Sequence, residues 1–325
     1  MDNNSIFFNQ TGRLRSGWRF SIFLLSYFVL TVTFGLGAIA LMSNLPIGFS
    51  PNSLLALVVP FAVFGAIGIF LGWLLGKTFE DLPFRALGCS LTKNWLKDLV
   101  LGLLIGAVSF AFAALVAAIF GGLRFEFNES SGASAIVLTL AATLLIFAFG
   151  AISEEVLFRG YLLQTISRAR LFWFGALLTS VLFASGHADN PNATVFSWTN
   201  TFLAGIWLAA AYWKTRTLWF PFGVHLAWNW IQGAFLGISV SGLSDLASAP
   251  IFKPLSSTET FFTGGEYGIE GGFACTLALV LSTILIYFSP FLRPTTEMLE
   301  LTSRENPRLI SGKLSGTNVA ESRDE

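Results

Sequence analysis

Charge is scarce in this chain of 325 residues: 12% are Asp, Glu, Lys or Arg, and 19 basic residues balance 19 acidic ones. No basic block is present to neutralise phosphates, so nucleic acid is excluded as a partner, and no polybasic stretch marks a surface anchor. Cysteine is nearly absent. Cys89 and Cys275 lack CxxC spacing and fall on opposite sides of the membrane in the topology below, so neither a disulfide nor a thiol nucleophile is expected. Histidine is as rare, with only His187 and His225.

Apolar residues are plentiful instead. They make up 54% of the chain, more than one water-soluble core can bury, so the bilayer is the expected solvent. A helix needs about 20 apolar residues to cross ~30 Å of hydrocarbon. About eight such runs occur: Phe20 to Met42, Leu54 to Gly76, Leu99 to Phe120, Ala135 to about Leu157, Leu171 to about His187, Thr194 to Trp213, Leu218 to Leu236 and Gly272 to Phe291. The expected fold is an all-α, polytopic transmembrane helical bundle over residues 20–293. The first run exceeds a signal-peptide core and is expected to be retained.

Short loops that keep Lys and Arg stay in the cytoplasm. Arg13, Arg15 and Arg19 precede the first run; Lys77, Arg85, Lys93 and Lys97 follow the second; Arg168 and Arg170 follow the fourth; Lys214 and Arg216 follow the sixth. With Arg293, Arg304, Arg308 and Lys313 after the last, both termini are expected inside. Residues 1–19 read as a cytoplasmic segment and 294–325 as a disordered cytoplasmic tail. The long outer stretch from Ser239 to Glu270, rich in glycine, reads as a loop or partial cap.

Ionisable residues inside such runs cost about 2.5–3.5 kcal/mol each on insertion scales, so each asks for a partner or a function. Here they cluster. The fourth run enters Glu154-Glu155-x-x-x-Arg159, the fifth ends in Phe183-x-x-x-His187, and the seventh holds His225-x-x-x-Asn229. Glu155 and Arg159 are four apart, the favoured order for an ion pair along one helix face. Glu154, turned by about 100°, faces elsewhere without a local cation. His225 and Asn229 share a face and can address one small object together. Phe183 lies one turn before His187 and could wall the same pocket, and Gly150 and Gly186 would let neighbouring helices approach. Such a set also suits a proton-coupled transporter, or helices cross-linked in a non-catalytic membrane scaffold.

Together these motifs resemble the CPBP intramembrane metalloprotease family, also called the CAAX protease or Abi family, which includes the Rce1-type prenyl endopeptidases. The resemblance covers roughly residues 135–235. It implies an intramembrane endopeptidase acting on a membrane-associated or lipidated peptide or protein within the bilayer, in a multi-pass protein of the plasma membrane. Carried over, Glu154 and His187 activate the attacking water, His225 and Asn229 form the oxyanion site, and Glu155, Arg159 and Phe183 support them. The family's older name implies a divalent metal such as zinc, held here by Glu154, His187 and His225; the glutamate-dependent alternative needs no metal. The spacing departs from the His-Glu-x-x-His pattern that places two imidazoles on one helix turn.

Helical rise gives the depth. Glu154 and His187 each lie about 16 residues, or roughly 25 Å, from a turn near residues 168–171, and His225 only about 13 Å beyond Arg216. Reconciling the two requires the 168–171 tip to protrude about 10 Å into the cytoplasm, carrying Arg159, Arg168 and Arg170 toward headgroups or water.

Overall fold

A computed structural model describes residues 6–9, 12–43, 53–255 and 260–302. The long apolar runs form helices: α1 (Ser16–Ser43), α2 (Leu54–Glu80), α3 (Trp95–Gly121) and α4 (Ala133–Glu155). α4 continues through a π-helical turn at Val156–Leu162 into α5 (Leu163–Arg168). These are the four long apolar helices of the described residues, each able to cross a membrane by length and composition. Then come α6 (Phe172–Ser185), α7 (Val195–Thr215), α8 (Trp219–Trp230), α9 (Phe273–Phe288) and α10 (Thr296–Thr302). α6 and α9 are apolar but shorter. The chain is a mostly helical integral membrane protein.

One small sheet interrupts the helices. β1 (Arg124–Phe127) and β2 (Phe252–Leu255) pair antiparallel, with Arg124 opposite Leu255 and Phe127 opposite Phe252. The strand pair ties the segment between α8 and α9 to the end of α3, so that this long connection folds back over the bundle.

Three departures from the sequence reading have physical causes. The fourth helical run does not end near Leu157. No proline stops it, and beyond the π turn the polar residues Gln164, Thr165, Ser167 and Arg168 are all buried. Gly160 carries a non-helical ψ of −128° inside that turn, which kinks the helix.

The second departure concerns the arginines. Arg170 is exposed, but Arg159 and Arg168 are 1% and 3% exposed, so the 168–171 tip does not carry them into water. Glu155 takes Arg159 at 3.1 Å. Glu80, at the end of α2, takes Arg168 through Nε at 2.7 Å and Nη2 at 2.8 Å, and Arg19 of α1 at 2.5 Å. Bidentate pairing of this kind offsets the desolvation that would otherwise expel the charges.

Third, residues 296–302 are helical, with Met298 and Thr302 fully buried, inside the stretch expected to be a disordered tail. The rest of that tail, 303–325, and residues 1–5 of the N-terminal segment lie outside the described residues.

Close helix contacts are made by other glycines than those expected. A Cβ on Gly150 would meet Phe61 only at 3.9 Å, and one on Gly186 would meet only the Leu182 and Phe183 carbonyls of the preceding turn. The tight seam lies between α3 and α8. There a Cβ on Gly102 would strike the Phe220 carbonyl, one on Gly106 the Val224 carbonyl, and one on Gly223 the Leu99 carbonyl. Backbone therefore meets backbone, and α8 is seated deep in the bundle with His225 on it.

Candidate active site

The motif residues reach one cavity of about 250 Å³ from three chain segments. Glu154 comes from the last turn of α4, His187 from the turn just after α6, and His225 and Asn229 from α8; all four line it, as does Phe183. The remaining wall is mostly apolar and aromatic, including Phe61, Phe147, Trp207 and Trp228.

Glu154 and Glu155 divide as their 100° offset requires. The Glu154 side chain retains 27% exposure and opens to the cavity, whereas that of Glu155 has none. Each oxygen of Glu154 faces a different imidazole: Oε1 lies 3.9 Å from Nε2 of His187, and Oε2 lies 3.7 Å from Nε2 of His225. Both gaps exceed a direct hydrogen bond and suit a bridging water.

The far nitrogen of each ring is fixed. Nδ1 of His187 is 2.8 Å from the Phe183 carbonyl, which can only accept, so that nitrogen carries a proton. The Phe183 ring stands 4.8 Å from the same imidazole and 6.1 Å from that of His225. Nδ1 of His225 meets Oε1 of Glu155 at 2.9 Å. Glu155 is thereby shared: one oxygen serves both His225 and Arg159, rather than Arg159 alone. Arg159 also donates from Nη2 to the Gly205 carbonyl at 3.1 Å and lies over the Phe183 ring at 4.8 Å.

Among the polar residues of the cavity wall, Asn190, Asn200, Ser241 and Glu270 carry no sequence expectation as site residues. The last two come from the connection between α8 and α9. Glu270 accepts from Trp228 Nε1 at 3.2 Å through Oε1, and from the Ser241 amide at 2.5 Å and hydroxyl at 2.9 Å through Oε2. Burial pushes its carboxyl up from the ordinary value, against the pull of the Ser241 donors. No spacing rule links residue 270 to a motif more than 40 residues upstream. Its only signal is an acidic residue in the glycine-rich outer segment that reads as a loop or partial cap.

Glu154, His187 and His225 are the right donor types for zinc, whose tetrahedral ligands at ~2.0–2.1 Å would lie about 3.3 Å from one another. The two Glu154 separations are wider, and no three His, Cys, Asp or Glu side chains among the described residues converge to hold a metal ion. The residues do not fit a metal in this arrangement.

Residues 135–231 match the family of Rce1-like, type II CAAX prenyl endopeptidases. The matched segment runs from early α4 to the end of α8 and contains every motif that carried the resemblance. Two curated relatives agree in extent. An "Uncharacterized 24.3 kDa protein" of Escherichia coli is 34% identical over 94 residues, covering 28% of this chain and 41% of that protein. The "Putative membrane peptidase YdiL" of Bacillus subtilis (strain 168) is 28% identical over 106 residues, covering 31% of this chain and 41% of its own. The chain thus spans about two fifths of the length of these relatives. In the Rce1-like segment lie Glu154, His187, His225 and Asn229; α1 to α3, Glu270 and α9 lie outside it.

Proposed function

We propose that this protein is an intramembrane endopeptidase that hydrolyses a peptide bond in a membrane-associated or lipidated substrate by direct attack of water. The observation that carries the reading is the pair of imidazole Nε2 atoms facing the two oxygens of one carboxylate, at 3.9 and 3.7 Å, in a largely apolar cavity.

A water held between Glu154 and His187 gives its proton to the carboxylate as its oxygen attacks the scissile carbonyl carbon. The carbonyl oxygen becomes an oxyanion, which accepts hydrogen bonds from Asn229 Nδ2 and His225 Nε2. For Nε2 to donate while Nδ1 donates to Glu155, the His225 ring carries both protons, and the Glu155 carboxylate offsets that charge. Collapse of the tetrahedral intermediate breaks the C–N bond, and the proton on Glu154 passes to the leaving amine. No serine or cysteine nucleophile is needed. Glu154 serves as general base, and the mechanism is glutamate-dependent.

The apolar wall suits a substrate with a lipid chain or a membrane segment next to the cleaved bond. About eight crossings, from the apolar runs, both termini in the cytoplasm, from the distribution of Lys and Arg, and residence in the plasma membrane complete the reading. The test uses purified protein in detergent or vesicles with lipidated and membrane-anchored peptides. Wild type should cleave and Glu154→Gln and His187→Ala should not; cleavage persisting in both variants would overturn the assignment.

A further inference from the structure

We infer that Glu270 is a positioning residue for the reaction, setting the distance between the helix of the oxyanion donors and the turn that carries His187. The inference rests on the reading of the cavity as a protease site. It concerns a residue outside the segment matched to the Rce1-like family.

Glu270 sits in a short 3-10 turn, Ile269–Gly271, just ahead of α9. Two arms run from its carboxylate. One goes through Oε1 to the indole of Trp228, which lies on α8 between His225 and Asn229 in sequence. That indole is packed by Phe110 and Trp207, at ring-centre distances of 5.2 and 5.4 Å, so α8 cannot swing without moving the contact. The other arm goes through Oε2 to the amide and hydroxyl of Ser241.

Ser241 passes the constraint on. Its carbonyl accepts Nδ2 of Asn190 at 2.9 Å, and the backbone N–H of Asn190 donates to the His187 carbonyl at 3.2 Å within one turn. A carboxylate is thus three hydrogen bonds from His187 on one side and one from α8 on the other. The Glu270 backbone is itself held, because its carbonyl accepts Nδ2 of Asn200 on α7 at 2.8 Å. The two catalytic elements, α8 and the turn after α6, are separate in the chain, so small errors in their separation are costly to rate.

Carboxylate chemistry is essential here. Trp228 and Ser241 both present donors, and only a group that accepts at both ends can serve them. An amide accepts at one end and donates at the other, so Glu270→Gln must lose one arm while keeping shape and volume.

The experiment compares wild type, Glu270→Gln, Trp228→Phe and Asn190→Ala, with Ser244→Ala on the exposed loop as control, using a membrane-anchored peptide substrate. Expected is a fall in kcat of about ten- to a hundredfold for Glu270→Gln, with KM within threefold, and smaller falls for the single-arm variants. A kcat within twofold of wild type in Glu270→Gln would overturn the inference. Should that variant aggregate, Trp228→Phe and Asn190→Ala decide it on the same kcat and KM criterion.

A substrate-free reading separates this inference from the proposed function. With only two histidines in the chain, ring-¹⁵N labelling reports His187 and His225 alone. Glu270→Gln should shift the His187 ring signals, and unshifted signals from both rings would refute positioning. Shifted signals in a folded wild-type background that cleaves nothing would refute only the protease reading.

Discussion

His225 on α8 meets Glu155 on α4 through Nδ1 and Oε1 at 2.9 Å, on the same oxygen that binds Arg159 at 3.1 Å. One buried carboxylate thus joins a catalytic candidate to a buried cation across two helices. Glu155→Gln keeps the shared acceptor oxygen and removes the charge that holds the His225 ring and Arg159. It should lower kcat about a hundredfold through a misplaced His225 ring, with the protein still folded. Glu155→Ala should be worse for the fold, because Arg159 is left buried without its carboxylate. A loss of about 3–5 kcal/mol is expected, read by thermal unfolding in detergent.

Glu154 makes the contrasting case. Its side chain opens to the cavity and lies 3.7 Å or more from either imidazole, so the fold owes it little. Glu154→Gln should lower cleavage by about 10²–10⁴-fold with the unfolding midpoint unchanged, since a neutral amide cannot take the proton of water. Asn229→Ala should cost about 2.7–4 kcal/mol of transition-state stabilisation, seen as lower kcat at similar KM.

Arg168 tests the far end of the bundle. With Glu80 and Arg19 it forms a buried cluster in which all three side chains are 1% exposed, and it takes no part in the proposed chemistry. Arg168→Ala should destabilise the protein by about 3–5 kcal/mol. The molecules that remain folded should keep their kcat, measured after separating monodisperse protein by size exclusion.

Chelation addresses the cofactor. Because no three His, Cys, Asp or Glu side chains among the described residues are close enough to hold a metal ion, exhaustive treatment of purified protein with 1,10-phenanthroline or EDTA should leave cleavage within twofold of the untreated rate. A loss restored by added zinc would instead show that the three side chains draw together on a metal.

Local geometry was what the sequence revealed best. Four-residue spacing placed Arg159 against Glu155, sent Glu154 to another face and put Phe183 over His187, because a helix converts such intervals directly into neighbours. The helices themselves were legible as apolar runs, mostly to within a few residues of their ends. Long-range partners were not. Glu80 and Arg168 are 88 residues apart, and nothing in either neighbourhood names the other. The π turn hid the continuation into α5, since its residues look like an ordinary helix end. Glycines misled as well: composition marks them as contact points, but only packing shows that Gly102, Gly106 and Gly223, rather than Gly150 or Gly186, sit where two backbones touch.

That seam between α3 and α8 bears on where the working unit begins and ends. The segment that matches the Rce1-like family contains all four candidate side chains, yet the surface against which α8 rests belongs to α3, upstream of it. Cut free, residues 135–231 would carry the reacting groups with one side of their scaffold stripped away, and the bare Gly223 face would be left without its counterpart. The matched segment thus holds a set of reagents. The vessel that keeps them in place is drawn from the rest of the chain.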